Sequence, residues 1–235
     1  MKKALVTGGA HALGIGYASA VSLAAEGYEV VVTGISQQEI DGTPRHDRIS
    51  ARVLNVRDEA AVNALLAEFD RLDALVNCAG MASRNEFDVE EFAKTIDVNL
   101  TGTLRVCNAA RKLLAQRHGA IVNIGSMYSI FGSDGVPGYS ASKGGVVQLT
   151  KSLARAWAKE GIRVNAVAPG WIKTGMARSL WEDEKAAAVV AERTPMGRWG
   201  EPSELGDVIC FLCSDKARFV TGVLLPVDGG YCISG

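Results

Sequence analysis

Thr7-Gly8-Gly9-Ala10-His11-Ala12-Leu13-Gly14-Ile15-Gly16 joins the short apolar run Ala4-Leu5-Val6 to a segment, 16–26, whose apolar residues suit a helix. Glycines permit a tight turn and let a ligand approach the backbone closely. The helix that follows offers free N–H groups and the positive end of its dipole, so a pyrophosphate suits such a turn. A glycine-rich connection with no ligand would look the same in isolation, and the rest of the chain has to decide.

Working outward, short β-rich runs at 4–7, 29–33, 51–55, 74–77, 120–124, 163–166 and 223–227 alternate with helical patterns at 16–26, 58–69, 89–116, 139–160 and 201–213. Alternation of this kind predicts an α/β fold, a Rossmann-like doubly wound parallel sheet of about seven strands with helices on both faces. No repeat, low-complexity tract or linker interrupts residues 1–235, which read as a single dinucleotide-binding and catalytic domain. The stretch 171–200 breaks the alternation with Pro195, bulky Trp and Met residues and an alanine-rich helix at 184–192, and is a candidate substrate lid. Ligands in open parallel sheets sit at the carboxyl ends of the strands. Gly8, Asn77-Cys78-Ala79-Gly80, Gly125-Ser126 and Pro169-Gly170 all fall at such ends.

The 235 residues are 48% hydrophobic with a formal net charge of −1, which fits a sizeable core and gives no electrostatic reason to expect nucleic acid or an anionic membrane as partner. A small soluble ligand is the simpler expectation. No stretch approaches the ~20 apolar residues of a membrane span, and the glycine turn starts too early for a signal peptide, so the chain reads as cytoplasmic. Five cysteines, Cys78, Cys107, Cys210, Cys213 and Cys232, lie scattered in apolar surroundings and read as reduced buried thiols. Cys210-Phe-Leu-Cys213 has no second pair, and His11, His46 and His118 show no ligand spacing, so no metal site is expected.

Tyr139-Ser-Ala-Ser-Lys143 carries the chemistry. Four residues apart on a helix, the phenol and the ammonium leave the same face one turn apart. A free phenol has a pKa near ~10 and exchanges protons poorly at neutral pH, whereas a nearby ammonium favours the phenolate. By itself the pair could be an exposed helical ion couple. Behind a dinucleotide turn, and thirteen residues after Ser126, whose hydroxyl can hold a carbonyl, it points to an oxidoreductase.

At the end of the second strand an acidic residue would bind the ribose hydroxyls of NAD and an arginine would accommodate the phosphate of NADP. Val32-Thr33-Gly34-Ile35-Ser36-Gln37 has small polar groups only, which favours NADP, with NAD as the alternative. Ser36, Thr33 or exposed backbone could hold the phosphate, with Arg45, His46 and Arg48 nearby in sequence, or the short loop 37–47 leaves that end of the cofactor in solvent.

Over essentially its whole length the chain resembles the short-chain dehydrogenase/reductase family, in its compact single-domain branch. The resemblance rests on Thr7-Gly8 through Gly16, Asn77-Cys78-Ala79-Gly80, Asp97-Val98-Asn99, Ser126, Tyr139 with Lys143, Asn165 through Gly170 followed by Thr174, Thr221-Gly222 and Asp228-Gly229-Gly230. It implies that Tyr139 is the general acid/base, that Lys143 tunes it and binds the nicotinamide ribose, that Ser126 holds the reacting oxygen, and that Asn99 holds a water relaying protons toward Lys143. It further implies cofactor contacts from Gly8, Gly14, Ile15, Gly16, Asn55, Val56, Asn77, Ala79, Gly80, Pro169, Gly170, Ile172 and Thr174. Either five residues separate Gly8 from Gly14 where the family usually has three between its first two glycines, or a gapless match puts Ala12 where a glycine belongs; Gly8 and Gly14 belong to the turn in both, and the roles of His11 and Ala12 stay open.

Within the family the chain is most similar to 3-oxoacyl-carrier-protein reductases and small polyol or sugar dehydrogenases. That implies hydride transfer between a nicotinamide and a ketone or secondary alcohol, the substrate a 3-oxoacyl thioester or else a sugar, polyol or cyclic alcohol. A nucleotide-sensing regulator on this fold would have lost the tyrosine or the lysine. An epimerase would carry a larger C-terminal domain, and enoyl reductases space the pair more widely. Trp171, Met176, Trp181 and Phe131 read either as an apolar pocket wall or as lid packing. Segments 89–116 and 139–160 imply a homo-oligomer, a tetramer or else a dimer, since 139–160 is apolar on more than one face.

Overall fold

A computed structural model of the protein describes residues 1–234. Among them seven strands form one parallel sheet: β1 (Lys2–Thr7), β2 (Tyr28–Gly34), β3 (Ile49–Val53), β4 (Ala74–Asn77), β5 (Ala120–Ile124), β6 (Arg163–Pro169) and β7 (Leu224–Val227), in the order β3-β2-β1-β4-β5-β6-β7. β4 and β5 cover the residues expected. β6 runs on past Ala166, because pairing of Ala166 to Pro169 with Leu224 to Val227 carries a segment of modest strand propensity along the ladder.

Side chains leave a strand alternately to its two faces. Ala4 and Val6 of β1, Ala74 and Val76 of β4 and Val122 of β5 pack beneath α1 (Ile15–Ala25) and α9 (Pro202–Cys213). Leu5, Leu75 and Ile121 face α3 (Glu59–Ala67), α5 (Gly102–Ala115) and α6 (Pro137–Trp157). All five thiols are unbridged; Cys107 and, on the inner face of α9, Cys210 and Cys213 are buried as expected, whereas Cys78 and Cys232 are only partly buried.

The segment 89–116 is not one regular helix. α4 (Val89–Ile96) passes through a π turn, Asp97–Thr101, before α5 begins. Such a bulge shifts the hydrogen-bond register and re-aims one residue, here Asn99. The stretch 171–200 holds α7 (Arg178–Trp181) and α8 (Glu184–Arg193). It leaves and rejoins the body at one neck, where Lys173 N donates to Gly200 O at 3.0 Å and Gly200 N to Trp171 O at 2.9 Å. Among the described residues no helix is long and apolar enough to cross a membrane.

Candidate active site

The strand order reverses between β1 and β4, which opens a crevice at their carboxyl ends. Gly8 sits there with a φ of +65°, and a methyl on it would fall 2.7 Å from Ala79 Cα. Thr7 Oγ1 accepts the amides of Cys78 and Ala79, each at 3.2 Å, and so ties the two strand ends together. A methyl on Gly16 would lie 2.7 Å from Gly8 O, so α1 can start this close to β1 only without a side chain at that position. Gly14 caps α1 without a side-chain acceptor, leaving the first-turn amides available to an anion. His11 and Ala12, within this turn, are exposed, and a methyl on Gly175 would fall 2.7 Å from His11 Cε1. Their loop meets the 171–200 segment, where Gly175 N donates to Leu13 O at 3.1 Å.

Tyr139 lies in the first turn of α6, with Lys143 one turn on and its Nζ 5.4 Å from the phenol ring centre. Lys143 is buried and donates to Ile124 O at 2.8 Å. Gly80 lies against both Asn99 and Lys143, and a Cβ there would fall 3.3 Å from Asn99 Oδ1 and 3.6 Å from the ammonium. Ser126, just past β5, caps the turn Met127–Ser129, accepting Tyr128 N at 3.1 Å, and its hydroxyl is a hydrogen-bonding partner of the Tyr139 phenol. Four residues from three segments thus meet at one rim, with Asn99 the fourth.

The electrostatics differ from the expectation that an ammonium would hold the phenol low. Loss of solvent pushes the Tyr139 phenol up to about 12 despite the hydrogen bond from Ser126, which pulls the other way. Burial also pushes Lys143 down to about 8. Desolvation of each charged form wins because the ammonium reaches past the phenol to a carbonyl. Near neutrality the phenol is protonated, the state needed to donate a proton to an oxygen gaining negative charge.

Asn99 uses its side chain structurally. Its Nδ2 donates to Met81 O (2.9 Å) and Ser142 Oγ (3.0 Å), its Oδ1 accepts Met81 N (2.8 Å), and its carbonyl accepts the Thr103 hydroxyl (2.7 Å). The loop after β4 is thereby locked to α6. Both Nδ2 protons are used in these contacts, so the side chain could meet a water only through the second lone pair of Oδ1.

Several residues expected at the cofactor behave differently. The Asn77 side chain points inward, donating to Asn123 Oδ1 (2.9 Å) and Cys107 Sγ (3.2 Å), so only its backbone borders the crevice. Asn55 is exposed at the rim and accepts Arg57 N, while Val56 is buried against Gly102. Gly170 passes so close to Asp228 that a methyl would fall 2.7 Å from its Cα. Ile172 is buried, and Thr174 O accepts the Trp181 indole N–H at 2.9 Å. Ser36 caps α2 (Gln37–Asp41), accepting Glu39 N. Trp171 packs on Trp199 and Met176 is exposed, whereas Phe131 joins Tyr128 and Tyr231 in an aromatic cluster that touches Tyr139.

Two carboxylates escaped the sequence reading. Glu86, almost fully buried, accepts Tyr139 N at 2.7 Å with one oxygen and Ser83 N (2.8 Å) and the Thr95 hydroxyl (3.2 Å) with the other. It satisfies the first turn of the helix that carries Tyr139. Glu39 brings a carboxylate to the end of β2, overturning the expectation that this strand end offers none. The signal that could have found it is the spacing Ser36-x-x-Glu39, a capping-box pattern that draws the fourth residue back to the strand end.

A family model described as Enoyl-(Acyl carrier protein) reductase matches residues 8–232. The 3-oxoacyl-acyl-carrier-protein reductase of Thermotoga maritima is 38% identical over 245 residues, covering 99% of this chain and 98% of that protein. Cis-4-hydroxycyclohexanecarboxylate dehydrogenase of Sinomonas cyclohexanicum is 41% identical over 242 residues, covering 97% and 95%. The solved structure of gluconate 5-dehydrogenase from Burkholderia cenocepacia J2315, in complex with NADP and tartrate, superposes with a TM-score of 0.89 at 32% identity, covering 100% of this chain and 96% of that one. The chain belongs to the short-chain dehydrogenase/reductase family. It is accordingly an NAD(P)-dependent oxidoreductase of the class acting between CH-OH and C=O.

Proposed function

We propose that the protein reduces a ketone, or oxidises the matching secondary alcohol, with Tyr139 as the proton donor and acceptor. The observation that carries this is the meeting of the Tyr139 hydroxyl, the Ser126 hydroxyl and the buried Lys143 ammonium behind the glycine turn. When bound, the nicotinamide supplies the hydride. Hydride arriving at the carbonyl carbon leaves alkoxide character on oxygen, which the Tyr139 proton neutralises while Ser126 holds it in line. Lys143 binds the nicotinamide ribose, and the free amides of α1 face the pyrophosphate. The four-residue spacing of Tyr139 and Lys143 supports reaction at a carbonyl over reduction of a carbon–carbon double bond.

The substrate is a 3-oxoacyl thioester or a sugar, polyol or cyclic alcohol, as the names of the relatives suggest. The aromatic wall of Tyr128, Phe131 and Tyr231 beside Tyr139 favours a partly apolar ketone. The segment 171–200 acts as the lid over it, hinged at the neck between Ile172 and Gly200. Measured reduction rates across a panel of ketones, 3-oxoacyl thioesters and sugars with each cofactor test the reading, and inertness toward the whole panel contradicts it. The uncharged residues Thr33, Gly34 and Ile35 speak for NADP, and Glu39 speaks against it.

The pH dependence follows from the signs. Alcohol oxidation needs the phenolate, and a phenol pushed up to about 12 holds little of it at neutrality, so its kcat/KM should climb with pH. Between about pH 5 and about pH 7, below the range where Lys143 loses its charge, the rise approaches tenfold per unit, while carbonyl reduction, which uses the protonated form, stays level. A flat oxidation profile over that range contradicts the role of Tyr139.

Unbridged cysteines fit the reducing cytoplasm proposed for the protein. The assembly is a homotetramer. Phe219 is fully exposed and Val89, at the start of α4, is 79% exposed, apolar surface that a partner copy would cover. Light scattering at micromolar concentration should return about four times the mass of the chain, and a monomeric mass would contradict this.

A further inference from the structure

We infer that Glu39, a helix-borne carboxylate, binds the adenosine ribose diol of the cofactor and selects NAD over NADP. The inference rests on the dinucleotide-binding reading above. Gly34, the last residue of β2, is buried and has no side chain, and Glu39 fills the volume it leaves. A methyl on Gly34 would fall 2.8 Å from Glu39 Oε2, 3.0 Å from Glu39 Cβ and 2.9 Å from the methyl of Ala10 in the glycine turn. The carboxylate therefore stands between the end of β2 and the turn that faces the pyrophosphate. A carboxylate carried by the strand itself would occupy the same volume.

The position is held from several sides. Glu39 Oε2 accepts Ile35 N at 2.9 Å. The Thr43 hydroxyl donates at 3.1 Å to both Glu39 O and Ala10 O, pinning α2 to the glycine turn. A plain capping box would place the carboxylate on the amide of residue 36, whereas here it takes the amide of residue 35 and so lies over Gly34. Among the described residues Glu39 Oε1 has no protein hydrogen bond, which leaves it available to two vicinal hydroxyls.

Among the described residues no ion pair forms at Glu39. Arg48 pairs at the level of Val30, four strand positions or roughly 13 Å below Gly34, and its guanidinium turns to Met1 Sδ. Arg52 is bonded to Glu68 and Arg57 to Asp97. A 2′-phosphate brought to this point meets a carboxylate without a guanidinium, whereas a ribose diol meets an acceptor for both hydroxyls.

The test is equilibrium binding of NAD and NADP, followed by calorimetric titration, to the wild type, Glu39→Gln and Glu39→Ala, with thermal melts of each. The wild type should bind NAD at least about tenfold more tightly. Both variants should lose NAD affinity and gain NADP affinity, narrowing the ratio by about tenfold with little change in melting temperature. A wild type that prefers NADP, or variants that weaken both cofactors equally, would overturn the assignment. Binding of neither dinucleotide by the wild type would overturn the proposed function and this assignment together.

Discussion

Tyr139→Phe is expected to lose about three orders of magnitude in turnover, about 4 kcal/mol of transition-state stabilisation, while binding the dinucleotide nearly as well as the wild type. The substitution removes one oxygen and leaves the ring, with its edge-on contact to Tyr128 at 6.4 Å and its face toward Lys143. No neighbouring group can replace the proton. The Ser126 hydroxyl is a far weaker acid than the phenol and is assigned to holding the reacting oxygen, and the carboxylate of Glu86 is engaged by the backbone of α6 and two further donors. Steady-state kinetics beside a cofactor titration check this, and near-normal turnover would remove Tyr139 from the mechanism.

Lys143→Met should lower both turnover and cofactor affinity, since one ammonium serves the phenol and the nicotinamide ribose. A loss of about a thousandfold in kcat/KM with a roughly tenfold weaker Kd is expected. Stability should fall as well. Ile124 O loses the donor it now has at 2.8 Å, and an unsatisfied buried carbonyl costs about 1–3 kcal/mol. Stopped-flow titration separates the two functions, and an unchanged Kd would refute the ribose contact.

The parts of this site that were legible in the sequence are those set by local pattern. β4 and β5 are central strands buried on both faces, so their continuous apolar runs mark their ends cleanly. Tyr139 and Lys143 are one helical turn apart, and Gly8 and Gly16 announce a turn that tolerates no side chain. What long-range contacts decide stayed hidden. The π turn at Asn99 depends on Met81 and Ser142, eighteen and forty-three residues away. Glu86 reaches Tyr139 across fifty-three residues. Asn77 was open to a better reading, since strand alternation puts it on the same face as Leu75, inside the core. Glu39 stayed hidden because it lies five residues past Gly34, and a short helix folds its carboxylate back onto the strand end.

The central claim is hydride transfer between a nicotinamide and a carbonyl carbon, with Tyr139 supplying the proton. Its most direct test is to incubate the wild type and Tyr139→Phe with reduced cofactor deuterated at the transferring position and a ketone that the wild type turns over, then read the product by mass spectrometry. The wild type should place one deuterium on the carbinol carbon, and Tyr139→Phe should place almost none in the same time. Product without deuterium at that carbon, or equal labelling by both proteins, would contradict the account.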